Sequence, residues 1–183
     1  MAGKISLVIG GIRSGKSNHA ELLAETSGNQ VIYLATGKNI DEEMQKRIKV
    51  HKQRRPSNWI TFEETLMISD TISEFAATSD TPITLLIESL DFWITNRLLD
   101  HPNSTYEEHE TWLTSHITQL IQTCKQQISN TIIVTSEVGT SLVSEHQLGR
   151  WFQDLLGTIN QIISASSDTV DYIVAGNVLN LKS

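Results

Sequence analysis

Residues 10–17 read Gly-Gly-Ile-Arg-Ser-Gly-Lys-Ser, directly after the apolar run Ile5-Ser6-Leu7-Val8-Ile9 and directly before Asn18-His19-Ala20-Glu21-Leu22-Leu23-Ala24. Gly10, Gly15, Lys16 and Ser17 satisfy G-x-x-x-x-G-K-[ST], and the motif stands between a predicted strand and a predicted helix, the context its mechanism needs. Glycines let the backbone wrap a phosphate, while N–H groups of the loop and of the helix N-terminus supply positive potential. The candidate nucleotide contacts are therefore Gly10, Gly11, Ile12, Arg13, Ser14, Gly15, Lys16 and Ser17. Lys16 is expected to reach the outer phosphates and Ser17 to place its hydroxyl on Mg²⁺. The plainer reading, a glycine-rich turn that happens to carry a lysine, is disfavoured by the strand-loop-helix context.

Outward from this loop, apolar β-rich runs recur at residues 5–9, 31–35, 59–62, 83–87, 131–135 and 170–175. Helical patterns separate them at 16–25, 41–54, 66–78, 90–99, 106–128 and 145–164. Strands alternating with helices imply crossover connections and a mainly parallel sheet. Leu85-Leu86-Ile87 and Ile132-Ile133-Val134 are continuously apolar, as strands covered on both faces are, and mark the expected sheet centre. Thr105 followed by Glu108 makes a capping box. Arg55-Pro56 ends the second helix, since the residue before proline avoids helical dihedrals. The predicted fold is α/β: a P-loop NTPase-like, mainly parallel sheet flanked by helices, in a single domain over residues 1–183.

Composition narrows the function classes. With 39% hydrophobic and 19% charged residues the chain is globular in character and not disordered. A net charge of −7 disfavours a nucleic-acid surface, which needs clustered Lys and Arg. Cys124 is the only cysteine, which rules out an internal disulfide and disfavours a zinc cluster. No apolar stretch approaches the roughly 18 residues of a membrane span, and Met1-Ala2-Gly3-Lys4 enters a strand without a signal-peptide core, so a cytoplasmic protein is expected.

A phosphate loop of this kind works with a carboxylate at the end of a neighbouring strand. Glu88, closing Thr84-Leu85-Leu86-Ile87, is the first candidate, and Glu137, after Ile132-Ile133-Val134-Thr135-Ser136, the second. Each is equally readable as an ordinary loop acid. On the second helical pattern Arg47, His51 and Arg55 recur every four residues and share a face. Flanking guanidinium charges disfavour a protonated imidazole, so His51 is either a neutral nucleophile among phosphate-binding cations or a solvated surface histidine. His19 is placed to pack beside the loop, whereas His101, His109, His116 and His146 read as exposed. Trp59, Trp93, Trp112 and Trp151 read as packing residues and not as a stacking platform.

Taken together, GGIRSGKS (10–17), Ala35-Thr36, RIKVHKQRRPSNW (47–59), Glu63, LLIESLDFWITN (85–96) and SEVG (136–139) followed by Arg150, Phe152 and Asp154 resemble the bifunctional adenosylcobinamide kinase/adenosylcobinamide-phosphate guanylyltransferase family. The resemblance covers essentially the whole chain. It implies phosphorylation of the corrinoid adenosylcobinamide by ATP or GTP, then transfer of GMP from GTP through a guanylyl-histidine, which by motif match is His51. It further implies nucleotide contacts from Ala35, Thr36, Gly37, Lys52, Gln53, Arg54, Arg55, Glu63 and Glu88 beside the loop, Mg²⁺ held by Ser17 and Glu88, catalysis by His51 and Lys16, and a homotrimer. The chain departs from the family pattern N-E-V-G-x-G-x-x-P at Ser136, Ser141 and Ser144, and has Ser89 where the family often has cysteine. A plain small-molecule kinase and a non-catalytic nucleotide-binding subunit are the competing readings.

Overall fold

A computed structural model describes residues 2–38, 52, 55–79 and 81–183. Along the chain these form β1 (Lys4–Gly10), α1 (Lys16–Thr26), β2 (Gln30–Ala35), β3 (Ile60–Glu63), α2 (Ile68–Ala76), β4 (Ile83–Glu88), α3 (Leu90–Asp100), α4 (Tyr106–Gln127), β5 (Asn130–Ser136), α5 (Gln147–Ser166), β6 (Thr169–Val174) and β7 (Asn177–Lys182). The helix expected over 41–54 lies outside the described residues except for Lys52.

The strands make one sheet in the order β3-β2-β4-β5-β1-β6-β7. Every pairing is parallel except β6 with β7. The two continuously apolar strands, β4 and β5, are neighbours at the middle of this order, as their composition requires. Ala35 lies level with Glu63 on one side and Glu88 on the other, and Gly10 lies level with Ser136. The loops that leave these strand ends therefore gather along one edge.

Alternate strand residues feed two apolar layers. Ile5, Leu7, Ile9, Leu34, Leu85, Ile87 and Ile133 pack with side chains of α2, α3, α4 and α5. Val8, Val31, Tyr33, Leu86, Ile132 and Val134 pack with Ala20 and Ala24 of α1. Alanines one helical turn apart let α1 lie close on the sheet, so the loop in front of it is held near the strand ends. The capping box at Thr105 forms as expected: its hydroxyl accepts from the Glu108 N–H at 3.3 Å, and Glu108 accepts from the Thr105 N–H at 2.8 Å. Trp59 and Trp93 are buried, and Trp112 and Trp151 pack partly buried against the larger layer.

Two expectations need correction. Strand β7 was not expected; its residues Asn177–Lys182 are exposed throughout, so the period-two burial signal that marks a strand is missing. What forms it is the tight turn at Ala175 (φ 50°) and Gly176 (φ 80°), a pair of left-handed residues that folds the chain back antiparallel on β6. His109, read as exposed, is 1% exposed, with its ring tilted on Trp151 at 6.1 Å. His116 is half-buried and stacks on Trp112 at 3.7 Å. No helix among the described residues is long and apolar enough to cross a membrane.

Burial, reinforced by the Arg97 and His101 charges, pushes the His109 pKa down. The unfolded chain therefore takes up the proton first. The stability His109 contributes is complete above the unfolded pKa of about 6.5 and is lost as pH falls through the lower folded value. Thermal unfolding followed from pH 8 to pH 5 is expected to show a midpoint that drops below about pH 6.5, with a shallower drop in His109→Leu.

Candidate functional site

The 10–17 loop is shaped by contacts that exclude larger residues. A Cβ on Gly10 would stand 2.6 Å from the Ile173 carbonyl of the adjoining strand β6. Gly15 has φ 100°, in the left-handed region where side chains are strained, and caps the N-terminus of α1. The β6–β7 turn braces the loop from outside, since the Gly176 N–H donates to the Ser14 carbonyl at 2.8 Å. Lys16 folds back so that its Nζ donates to the Gly11 carbonyl at 3.3 Å. Ile12 is exposed at the loop's crest, and Ser14 is buried with its hydroxyl unpaired among the described residues.

From the first turn of α1, the Ser17 hydroxyl donates to Glu88 Oε1 at the end of β4. The other carboxylate oxygen, Oε2, accepts from the Tyr33 hydroxyl at 2.9 Å. Burial, and then the neighbouring Glu88 carboxylate, raise the Tyr33 pKa well above the ordinary tyrosine range, so this hydroxyl stays a donor. Over the Tyr33 ring, 3.4 Å from its centroid, lies the Arg55 guanidinium. Lys52 pairs with Glu63 at the end of β3. Thus Ser17, Lys52, Arg55, Glu63 and Glu88 are tied to the ends of β2, β3 and β4.

A second polar layer fixes the turn after β4. The Thr36 hydroxyl accepts from the Ser89 N–H and donates to the Ser89 carbonyl, both at 2.7 Å. Asn96 Nδ2 donates to the Thr36 carbonyl at 2.7 Å. All three side chains are buried, where an unpaired polar group is costly. Ala35, Thr36 and Gly37 are therefore held at the same edge as the loop. Glu137 is oriented differently from Glu88: its N–H donates to the Gly10 carbonyl at 3.0 Å, and its carboxylate accepts from Gly139 N at 2.5 Å. Of the two strand-end acids, Glu88 is the one that meets Ser17.

His51, Gln53 and Arg54 lie outside the described residues. Ser136, which stands where the resemblance leads to asparagine, donates to Asp91 Oδ2 at 2.7 Å. His19 contacts Asp171 at 2.8 Å, and Asn180 donates to the other oxygen of Asp171 at 2.6 Å, so α1 is pinned to the β6–β7 hairpin. Tyr33, Asp91 and Asp171 were not singled out from the sequence. Tyr33 sits inside a strand that reads simply as apolar, and only the parallel register of β2 with β4 brings its hydroxyl to Glu88.

Comparison with known proteins adds the family. The model of the family described as cobinamide kinase / cobinamide phosphate guanyltransferase matches residues 6–181. A bifunctional adenosylcobalamin biosynthesis protein, CobU, of Escherichia coli (strain K12) is 35% identical over 182 residues, covering 96% of this chain and 98% of that protein. Its Salmonella typhimurium counterpart is 36% identical over 182 residues, with the same coverage. CobP of Pseudomonas aeruginosa, also described as a bifunctional adenosylcobalamin biosynthesis protein, is 36% identical over 177 residues, covering 96% of each chain. In fold alone, the chain is similar to a prototypical ATPase from the type III secretion system of pathogenic bacteria. The TM-score is 0.60 at 11% identity, over 98% of this chain and 57% of that one.

The close approach at Gly10 is testable without any ligand. Gly10→Ala drives a methyl group into the Ile173 carbonyl across the β1–β6 pairing. Overpacking of this kind costs about 1–3 kcal/mol, so urea unfolding is expected to show a lower midpoint with an unchanged m-value.

Proposed function

The chain belongs to the cobinamide kinase / cobinamide phosphate guanyltransferase family and is a bifunctional transferase of cobalamin biosynthesis, and on that premise we propose that a single nucleotide site on the 10–17 loop serves both reactions. The observation that carries this reading is the shared use of Glu88. One carboxylate oxygen accepts from Ser17, where the loop enters α1, and the other from Tyr33, whose ring holds Arg55. Arg55 stands four positions after His51 in the sequence. The loop and the basic segment thus converge on one acid.

In this reading the loop is a P-loop and the single domain is a P-loop transferase. Its backbone N–H groups and Lys16 hold the triphosphate of ATP or GTP, and the buried Ser14 hydroxyl is a further donor toward it. Ser17 and Glu88 fit Mg²⁺, because hydroxyl and carboxylate are hard oxygen ligands and Mg²⁺ usually takes only one or two protein ligands beside phosphates and waters. Ser17 and Glu88 would hold the ion, whose chemistry there would be to neutralise charge on the outer phosphates. Ala35, Thr36, Gly37, Lys52, Gln53, Arg54, Arg55 and Glu63 complete the nucleotide contacts, and a homotrimer completes the assembly.

The two reactions are two kinds of displacement at phosphorus. For the kinase step, the aminopropanol hydroxyl of adenosylcobinamide attacks the γ-phosphorus, and the nucleoside diphosphate leaves with the bridging oxygen. Lys16 and the loop stabilise that charge. For the second reaction, a neutral imidazole nitrogen of His51 attacks the α-phosphorus of GTP, and pyrophosphate leaves from the same loop. The phosphate of the corrinoid product then attacks the guanylyl phosphorus, the P–N bond breaks, His51 is regenerated and adenosylcobinamide-GDP is formed. Splitting one exchange between two phosphates into two steps lets a nitrogen nucleophile replace a poorly nucleophilic phosphate in the first.

Incubation with GTP labelled at the α-phosphate is expected to leave an acid-labile, base-stable label on the protein that is absent in His51→Ala. Retention of the label in His51→Ala would move the nucleophile elsewhere.

A further inference from the structure

Tyr33 is 2% exposed, deep in the smaller apolar layer, yet it carries a hydroxyl that must find a partner. That partner is Glu88 Oε2, at 2.9 Å, while Ser17 engages Oε1. A carboxylate engaged through both oxygens by donors from two different elements has little freedom to rotate. The ring has little freedom either, since the tilted Trp59 ring packs beside it with centroids 6.4 Å apart, and the Arg55 guanidinium lies 3.4 Å from its centroid. One buried side chain thus touches both the strand-end acid and the basic segment.

We propose that Tyr33 is a positioning residue, whose hydroxyl orients Glu88 for a divalent cation and whose ring seats Arg55. The inference rests on the reading of Glu88 as a cation ligand. Mg²⁺ demands near-ideal geometry, so a ligand already fixed in orientation binds it better than one that must be ordered first. Outer residues that orient a metal ligand typically contribute 10- to 100-fold in metal affinity. The two functions of Tyr33 are separable: Tyr33→Phe removes the hydroxyl and keeps the ring, and Arg55→Ala removes the guanidinium and keeps the hydroxyl.

The test is a Mg²⁺ titration of the binding of a fluorescent GTP analogue, with the affinity in EDTA measured beside it. Tyr33→Phe is expected to raise the half-saturating Mg²⁺ concentration about 10-fold and to leave the affinity in EDTA unchanged. Arg55→Ala is expected to lower the affinity for the analogue in EDTA, which Tyr33→Phe leaves unchanged, and to reduce the label acquired from GTP. Glu88→Gln serves as the reference and is expected to abolish the Mg²⁺ enhancement. Should Glu88→Gln retain the wild-type Mg²⁺ response, Glu88 is not the cation ligand and both readings fall. Should Glu88→Gln lose the response while Tyr33→Phe keeps the wild-type midpoint, the assignment of Tyr33 alone is overturned. An equal shift in Arg55→Ala and Tyr33→Phe would also overturn it, since the effect would then pass through ring packing and not through the hydroxyl.

Discussion

Parallel strands cannot be joined by tight hairpins, and this constraint organises the molecule. Each parallel step needs a crossover, so β1, β2, β3, β4, β5 and β6 all end at one edge of the sheet. Whatever the chain places just after a strand is delivered to that edge. Gly10, Ala35, Glu63, Glu88 and Ser136 are distant in sequence, yet all are terminal residues of their strands. The registers leave them on a few shared levels, and the candidate site is drawn from these residues and the loops that leave them.

Apolar layers on both faces make the strands rigid, and a polar set at their ends is then fixed by pairwise hydrogen bonds. Each such bond contributes only about 1 kcal/mol net, but leaving a buried partner unpaired costs more, which is what gives the arrangement its specificity. The loop is held from several directions: by Gly10 against β6, by Gly176 on Ser14, and by His19 on Asp171. Strand β7 contributes little to the core, since it is exposed along its length, and the structural part of its turn with β6 is to brace the loop. The proposed role of the loop as a phosphate cradle needs that rigidity, because donors that must first be ordered lose part of their electrostatic effect.

Much of this was legible in the sequence. The alternation of apolar runs with helical patterns and the Thr105 capping box each depend on local spacing, and local spacing is what a sequence displays. The sheet centre was marked by continuous apolar runs in β4 and β5. What stayed hidden depends on register. Tyr33 is an ordinary strand residue until β2 lies beside β4, and His109 is an ordinary helix residue until α5 covers it with Trp151. Strand β7 was missed because its exposed positions are both apolar and polar, so no periodicity marks it. Asp91 gained its partner only because Ser136, short and hydroxylated, ends the strand beside it.

Whether one loop handles both phosphate chemistries is tested most directly by single-turnover product analysis of Lys16→Ala with adenosylcobinamide and GTP, and separately with the phosphorylated corrinoid and GTP. If the loop stabilises the transferred γ-phosphate in one reaction and the departing pyrophosphate in the other, both rates fall together, each on the order of 100-fold. Loss of one activity with the other at its wild-type rate would contradict a shared site.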